Sequence, residues 1–376
     1  MEIVIIAGLV TLLYCGLMIW FLIGIKQLKT IKDTFEKEEV KFSICIPFRN
    51  EAENLPSLLE SIRLLNYPCN FYEVLLINDC STDHSEQIVH DFIRENNSLS
   101  ISLLQNNEKA TSPKKEALLK AILHANYAYL ITTDADCKLP KNWLQYFNTC
   151  IVKEKSEFIA GPVIYKASST FLNRFQSLDF LSLQAATLAG FGNNHPFLCN
   201  GANLCFQKKA FLNVNGYQEN TQIASGDDIF LLEKMVKVKA KMQYVANYKA
   251  SVKTLPPQSW RALIQQRIRW ASKTSAYQNK HSRLTAILVF LMNLLILLML
   301  VLALANITSW QAFLVLFAIK LNIDFFVLHQ TARFYHQEEL MKSYVTVAFF
   351  HPLFILMCCI LSFFKSYEWK GRSFKQ

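Results

Sequence analysis

A short apolar run that ends in two carboxylates constrains the possible fold of this chain more than any other stretch does. Residues 127–133 are largely aromatic and β-branched, and Asp134 and Asp136 follow two positions apart. This composition predicts a buried strand. In open α/β sheets the ligand crevice lies beyond the carboxyl ends of the strands, so both acids are expected beside a ligand. Such a pair can hold Mg²⁺ or Mn²⁺ together with substrate phosphates, and a solvated turn is the alternative interpretation.

Strand and helix patterns alternate through the segment that contains this pair. The predicted strands are residues 42–47, 72–77, 101–104 and 127–133, and the predicted helices between them are residues 53–65, 82–95 and 114–124. Ser81 is the expected N-cap of the second helix. The alternation predicts an α/β fold with a mainly parallel sheet that is covered on both faces.

The apolar residues of this 376-residue chain are concentrated near its two ends. The expected organisation is a transmembrane helix in residues 1–25, a catalytic α/β domain in 41–255, a basic amphipathic interfacial segment in 256–283, transmembrane segments in 284–364 and a basic tail in 365–376. A cleavable signal peptide is disfavoured because no basic residues precede the first apolar run and no Ala-x-Ala site closes it. Lysines follow that run, so the positive-inside rule predicts an external N-terminus and a cytoplasmic domain.

The last apolar segments do not give a simple topology. One span before the domain and three after it (284–305, 310–330 and 344–364) predict an external C-terminus, whereas the basic tail favours the cytoplasm. Either one late segment is re-entrant or the tail departs from the rule. Lys320 and Asp324, one helical turn apart, are expected to pair, and His351-Pro352 interrupts the last segment.

Composition excludes several classes of function. The ten cysteines form no Cys-x-x-Cys pair, which disfavours a zinc site or a disulfide framework. The net charge of +10 fits anionic lipid headgroups, and no motif for nucleic-acid binding accompanies it. The loop after the first strand lacks a Gly-x-Gly-x-x-Gly pattern, which disfavours a dehydrogenase and favours diphosphate binding through a metal.

Two further acidic motifs carry side chains suited to chemistry. Asp79 follows the second predicted strand, where a carboxylate can accept a hydrogen bond from a nucleobase, and helix capping is the alternative interpretation. Asp227 and Asp228 open a predicted helix, where they could instead simply compensate the helix dipole.

The basic segment contains Gln266, Arg269 and Trp270 in a Gln-x-x-Arg-Trp pattern. Arginine can bind two phosphate oxygens and tryptophan can stack on a sugar ring. A helix lying on the membrane surface is the alternative, and the two interpretations are compatible because they use different helix faces.

The ordered set of motifs resembles the inverting family 2 glycosyltransferases, which have the GT-A fold and include cellulose-, hyaluronan- and ceramide-glycosylating enzymes. The resemblance covers residues 41–275 and rests on Pro47-Phe-Arg-Asn-Glu51, Asn78-Asp79-Cys-Ser-Thr-Asp83, Lys114, Thr133-Asp134-Ala-Asp136, Cys199-Asn-Gly201-Ala-Asn-Leu204, Asp227-Asp228 and Gln266-x-x-Arg269-Trp270. Asn78 and Pro113 depart from the usual Asp and Gly of the family.

The resemblance implies a role for each motif residue. Asp228 would be the general base beside Asp227, and Asp134 and Asp136 would hold Mg²⁺ or Mn²⁺. Glu51 and Asp79 would lie at the uridine. The full set implied for donor binding is Pro47, Glu51, Asp79, Lys114, Asp134, Gln266, Arg269 and Trp270.

The chain is therefore expected to be a membrane-bound glycosyltransferase. It would be a multi-pass protein of the cell membrane with its catalytic domain in the cytoplasm. It would move a sugar from a nucleotide sugar, with UDP favoured, to a hydroxyl of a lipid or lipid-linked glycan, with inversion. The helix predicted over residues 170–188 would be either a core helix or an interfacial helix beside the acceptor. One alternative is a processive polysaccharide synthase, and another is a non-enzymatic membrane receptor or transporter subunit. The expected partners are the donor, the acceptor and the membrane, without nucleic acid.

Overall fold

The computed structural model describes residues 2–107, 112–166, 169–218, 225–364, 367–370 and 372–374. The helices are α1 (Glu2–Gln27), α2 (Leu55–Arg63), α3 (Ser85–Glu95), α4 (Pro113–His124), α5 (Trp143–Glu154), α6 (Phe171–Gly192), α7 (Lys208–Asn213), α8 (Asp227–Lys237), α9 (Trp260–Ser272), α10 (Lys280–Leu304), α11 (Trp310–Phe334) and α12 (Tyr344–Phe364). The strands are β1 (Phe42–Phe48), β2 (Tyr72–Asn78), β3 (Ser100–Gln105), β4 (Tyr129–Thr132), β5 (Phe158–Ala160), β6 (Val163–Tyr165), β7 (Leu204–Gln207), β8 (Met242–Tyr244), β9 (Val252–Thr254), β10 (Tyr367–Trp369) and β11 (Arg372–Phe374).

Seven strands form one sheet in the order β3-β2-β1-β4-β7-β5-β8. β1 pairs in parallel with β2 and β4, and β2 with β3, whereas β7 runs antiparallel to β4 and β5. Every residue of β2 is buried, as expected for a strand that helices cover on both faces. The prediction of a mainly parallel sheet is confirmed. Because β1, β2 and β4 are parallel neighbours, the loops after them meet at one edge.

The loop after β2 differs from the prediction in one detail. Ser81 is not the N-cap of α3, which begins at Ser85. Cys80 has a left-handed φ of 55°, and the loop continues past it. Ser81 Oγ instead accepts a hydrogen bond from the Asn50 amide at 3.1 Å. An oxygen of Asp83 accepts a hydrogen bond from the Ser85 amide at 3.0 Å, so the helix begins later in the chain.

Among the residues that the structure describes, four helices are long and apolar enough to cross a membrane, namely α1, α10, α11 and α12. The predicted pair of Lys320 and Asp324 is present on α11, and the Tyr14 hydroxyl of α1 donates to Asp324 at 2.6 Å. α1 also packs along α6, where a Cβ at Gly192 would lie 1.8 Å from the Gly24 carbonyl oxygen. Glycine at this crossing therefore allows the two backbones to touch.

α12 lies against the α/β domain at both of its ends. The 3₁₀ helix Glu338–Ser343 precedes it, and Ser343 Oγ accepts a hydrogen bond from Arg174 of α6 at 3.2 Å. After α12, the hairpin β10–β11 brings Lys370 and Arg372 to the loops that follow β1 and β2. The helix continues through Pro352, so the expected interruption there does not end it.

Candidate functional site

One cavity of about 460 Å³ lies at the carboxyl ends of β1, β2 and β4 and reaches the membrane helices. The structure brings all the predicted site residues to its wall. They are Pro47, Glu51, Asp79, Lys114, Asp134, Asp136, Asp227, Asp228, Gln266, Arg269 and Trp270. They come from six separate segments of the chain, so the fold, rather than local sequence, gathers them.

Glu51 and Asp79 form the outer end of the cavity, and both are buried. Asn106 donates to Asp79 Oδ1 at 2.8 Å, which fixes the plane of that carboxylate. Asn54 donates to Glu51 Oε2 at 2.6 Å, and two cations of the C-terminal hairpin occupy the other two oxygens. Lys370 Nζ lies 2.5 Å from Glu51 Oε1, and Arg372 Nη1 lies 2.7 Å from Asp79 Oδ2. Both carboxylates therefore accept hydrogen bonds from N–H groups.

Arg49 joins this outer end to the hairpin backbone. Its Nη1 donates to the carbonyl oxygens of Asp79 and Cys80, each at 2.7 Å. Its Nε donates to the Lys370 carbonyl oxygen at 3.2 Å. The motif after β1 thus holds the loop after β2 through a side chain that the sequence analysis did not single out.

Lys114 connects the two acidic motifs of the cavity. Its Nζ lies 2.8 Å from Asp134 Oδ1 and 3.5 Å from Asp227 Oδ2. Burial alone would lower the pKa of Lys114, but the two carboxylates outweigh burial and raise it above its usual value. The side chain is therefore a fixed cation at neutral pH, at the point where β4 and α8 approach each other.

The pair Asp134 and Asp136 has the character of a cation site. Burial, followed by the charges of Asp134 and Glu51, raises the pKa of Asp136. Bringing a divalent cation here would relieve that repulsion. Within the described ranges no cluster of three or more His, Cys, Asp or Glu is placed to hold a metal. Two carboxylates fit Mg²⁺ or Mn²⁺ when substrate phosphates and water complete the coordination shell.

Asp227 and Asp228 begin α8 after Gly226, which has a φ of 86°. The tight turn faces Gly201, where an added Cβ would lie 3.2 Å from an Asp227 oxygen. The Gly201 amide donates to Asp228 Oδ2 at 3.0 Å. A small residue at position 201 thus lets the loop before β7 approach the acid pair closely.

The two acids of the pair differ in their surroundings. Burial opposes ionisation of Asp227, but Lys114, Lys273 and Lys115 outweigh it and lower its pKa, which makes this group a poor proton acceptor. Asp228 lies 3.8 Å from Lys273 Nζ and is somewhat more exposed, with 16% of its side chain accessible against 9% for Asp227. Asp228 is therefore the better placed of the two to take a proton from a ligand in the cavity.

α9 carries the Gln-x-x-Arg-Trp motif along the side of the cavity. The Tyr165 hydroxyl donates to Gln266 Oε1 at 3.2 Å, and Arg267 donates to the same oxygen. The Arg267 guanidinium lies 4.2 Å from the centroid of the Trp270 ring. Phe180 of α6 contacts the same indole, with ring centroids 6.2 Å apart. The three motif residues line the cavity, so a position on the membrane surface alone does not describe this helix.

The inner end of the cavity lies between α6, α10 and α12. Its wall is formed mainly by apolar and small side chains, which include Leu183, Ala186, Thr187, Thr285, Ala286, Val289, Ile355, Cys358 and Cys359. The acids line the outer part and these residues line the inner part. A ligand that combines a polar head with an apolar chain would match this division.

Sequence reasoning missed several residues that line or hold the cavity. They are Arg49, Asp179, Arg267, Lys273, Lys370 and Arg372. Arg49 and Arg267 lie inside sequence motifs, and the positive charge of Lys370 and Arg372 in the tail indicates only a membrane topology. Asp179 gave no signal, because a single acid in an apolar helix acquires its partners only through tertiary packing.

A family model described as "Glycosyl transferase family 21" matches residues 3–376. A poly-β-1,6-N-acetyl-D-glucosamine synthase of Staphylococcus epidermidis is 27% identical over 243 residues, which cover 63% of this chain and 55% of that protein. The synthase of the same description from Staphylococcus aureus is 26% identical over 228 residues, 59% of this chain and 52% of that protein. The chain thus spans about half the length of the curated relatives it matches.

The mannosyltransferase PcManGT from Pyrobaculum calidifontis, solved with GDP-Man and Mn²⁺, has a similar structure. The TM-score is 0.58, the identity is 15%, and the match covers 96% of this chain and 98% of that one. At this identity the likeness concerns the fold. The predicted fold class, an α/β GT-A domain with transmembrane helices, is confirmed.

Proposed function

This chain belongs to glycosyl transferase family 21, and from that premise we propose that it is a membrane-bound glycosyltransferase acting from a nucleotide sugar onto an acceptor hydroxyl. One observation carries the proposal. Lys114 contacts Asp134 and Asp227 at once, so a single, largely enclosed cation joins a candidate diphosphate site to the acid pair that contains the candidate base. A receptor or transporter subunit would have no need of this arrangement.

The donor would occupy the outer half of the cavity. Asp79 would accept a hydrogen bond from an N–H of the nucleobase, and Glu51 would lie beside it at the nucleoside, in the positions that Arg372 and Lys370 now fill. Pro47 contributes to the wall beside them. UDP remains the favoured nucleotide, because a uracil N–H is the kind of donor that one buried carboxylate can accept. Arg269, which also lines the cavity, would bind diphosphate oxygens.

Asp134 and Asp136 would hold Mg²⁺ or Mn²⁺ between themselves and the diphosphate. When bound, the metal supplies positive charge that stabilises the departing nucleoside diphosphate. Lys114 and Arg269 add fixed positive charge on the same side. The protein contributes preorganised charges, so little reorganisation is needed as negative charge develops.

Asp228 would take the proton of the acceptor hydroxyl as that oxygen attacks the anomeric carbon. The attack comes from the face opposite the leaving diphosphate, so one displacement inverts the configuration. The Gly201 amide holds Asp228 Oδ2 in place, and Asp227 supports Lys114 instead of accepting a proton. Gln266 and Trp270 would contact the sugars beside the reacting atoms.

Two acceptor classes have support of different kinds. The apolar inner wall between α6, α10 and α12 favours a hydroxyl carried by a lipid or a lipid-linked glycan. The curated relatives are polysaccharide synthases by description, and they favour the processive alternative more than a single transfer. A growing glycan and a lipid acceptor present the same reacting group, so the chemistry at Asp228 is common to both.

The protein would lie in a cell membrane with its α/β domain in the cytoplasm, consistent with the lysines that follow α1. Apolar side chains such as Leu12 and Leu304 are exposed on the candidate spans and would contact lipid. The hairpin after α12 contacts Glu51 and Asp79, so both ends of α12 would lie on the side of the α/β domain. Because α12 is one continuous helix, it would then lie along the membrane instead of crossing it, which reconciles the basic tail with the cytoplasmic side.

Purified full-length protein tests the proposal directly. It would be incubated with Mn²⁺ and a panel of UDP-sugars and GDP-mannose, with dioleoylglycerol in mixed micelles or a β-linked N-acetylglucosamine disaccharide as acceptor. A product carrying one added sugar would support single transfer, and a ladder of products would support the synthase. Absence of metal-dependent nucleotide-sugar binding and of transfer to either acceptor would contradict the proposal.

A further inference from the structure

A buried network of charges joins three helices along the proposed acceptor side of the cavity, whose wall includes Asp179 and Arg267. Asp179 of α6 and Arg267 of α9 are 4% and 6% exposed. Arg267 Nε donates to Asp179 Oδ2 at 2.6 Å. His351 Nε2 of α12 lies 3.0 Å from the other oxygen, Asp179 Oδ1. One carboxylate therefore holds a helix of the basic segment and a helix of the membrane-embedded part together.

The charge state of this network is set by its own members. Burial acts against ionisation of Asp179, but Arg267 and His351 outweigh burial and lower the pKa of the carboxyl group to about 2. The acid is thus ionised under all ordinary conditions. An isolated charge at this depth would be costly, so each member depends on the others.

The network continues into the motif that faces the cavity. The Arg267 guanidinium lies over the Trp270 ring, 4.2 Å from its centroid, and donates to Gln266 Oε1. Its guanidinium cannot shift without releasing both side chains. Asp179 holds Nε of Arg267 in place. Through Arg267 it also holds the Trp270 ring, which would stack on an acceptor sugar, and the Gln266 side-chain amide.

We propose that Asp179 is a positioning residue for the acceptor, acting through Arg267 on Trp270 and Gln266, and that His351 makes α12 part of that support. The inference rests on the proposed function, which names the acceptor side of the cavity but gives no role to Asp179 or His351. The inference separates two sets of residues, because among the described residues no hydrogen bond or ion pair joins Glu51 or Asp79 to Asp179, Arg267 or His351.

Steady-state kinetics of full-length variants would test the assignment, with dioleoylglycerol and the N-acetylglucosamine disaccharide as acceptor probes. Asp179→Asn removes the carboxylate charge that pairs with the buried Arg267, so this variant can also fail to fold. The double variant Asp179→Asn, Arg267→Gln removes both charges and relieves that cost. Both variants should raise the acceptor KM by roughly tenfold, the size of coupling expected for residues in one network. The donor KM should stay near the wild-type value.

Asp324→Asn is the matched control, because it also removes a carboxylate paired with a cation, on α11 and away from the cavity wall. It should leave the acceptor KM unchanged. A folded double variant with a wild-type acceptor KM would overturn the positioning role while leaving the proposed function intact. If the wild-type protein transferred no sugar to either probe, the proposed function and this inference would both be contradicted.

Discussion

The Nζ atom of Lys370 lies 2.5 Å from a carboxylate oxygen of Glu51. Arg372 pairs with Asp79 in the same way, so Lys370 and Arg372 together occupy the two acids that are proposed to lie at the nucleoside. A donor that uses these acids must displace both cations. Lys370→Ala with Arg372→Ala should therefore lower the donor KM. If the hairpin occupies the site for about nine-tenths of the time, the change is roughly tenfold.

Titration of UDP binding by calorimetry would measure this effect without any assumption about the acceptor. Lys342→Ala is a suitable control, since it removes an exposed cation that pairs with Glu339 far from the cavity. Weaker UDP binding in the double alanine variant would contradict competition and would indicate that the hairpin contributes contacts to the bound nucleotide.

Asp136→Asn should weaken Mn²⁺-dependent binding of UDP. The substitution keeps the size of the side chain but removes one charge from a site to which Asp134 and Asp136 are the carboxylates assigned. Binding measured in the absence of divalent cations should change little, and this comparison is the internal control. Equal Mn²⁺-dependent affinity in wild type and variant would contradict the metal role of Asp136.

Trp270→Phe should raise the acceptor KM while donor binding persists. The smaller ring reduces stacking on a sugar and contact with Arg267, and such aromatic contacts contribute about 0.5–1.5 kcal/mol, or a factor of roughly 2–10. Trp260→Phe is a control on the same helix, because Trp260 packs against Phe175 and is absent from the cavity wall. Identical acceptor kinetics for Trp270→Phe and wild type would contradict stacking on the acceptor and would indicate that the indole only anchors the helix at the membrane interface.

The position of the acids in the proposed donor half could be predicted because local sequence determines it. A buried strand followed by Asp134 and Asp136 brings its acids to the edge of the sheet whatever the rest of the chain does. Asp79 follows the same rule on β2. Lys114 was predicted by its place in the motif, although its contact with Asp227 depends on how α4 meets α8.

The support of the acceptor half could not be predicted, because its contacts join distant segments. Asp179 and Arg267 are 88 positions apart, and Asp179 and His351 are 172 apart. Apolar periodicity places a helix in the core or the membrane but does not say which polar residue meets which. For the same reason, the sequence does not predict that Lys370 in the basic tail contacts Glu51.

The exchange of Asp228 for Asn tests the central claim, because it keeps the shape of the side chain and removes its capacity to accept a proton. General-base assistance contributes a factor of roughly 10²–10⁴. Turnover for transfer to the acceptor should fall by about that factor, with UDP affinity little changed. Asp227→Asn is the neighbouring control, and it should act mainly through Lys114 and donor binding.

The deciding measurement is the rate of sugar transfer to acceptor by Asp228→Asn at saturating donor and Mn²⁺. The account predicts a loss of at least about a hundredfold in a protein that binds UDP as well as wild type does. Transfer at the wild-type rate by Asp228→Asn, while Asp136→Asn is inactive, would contradict the assignment of Asp228 as the base.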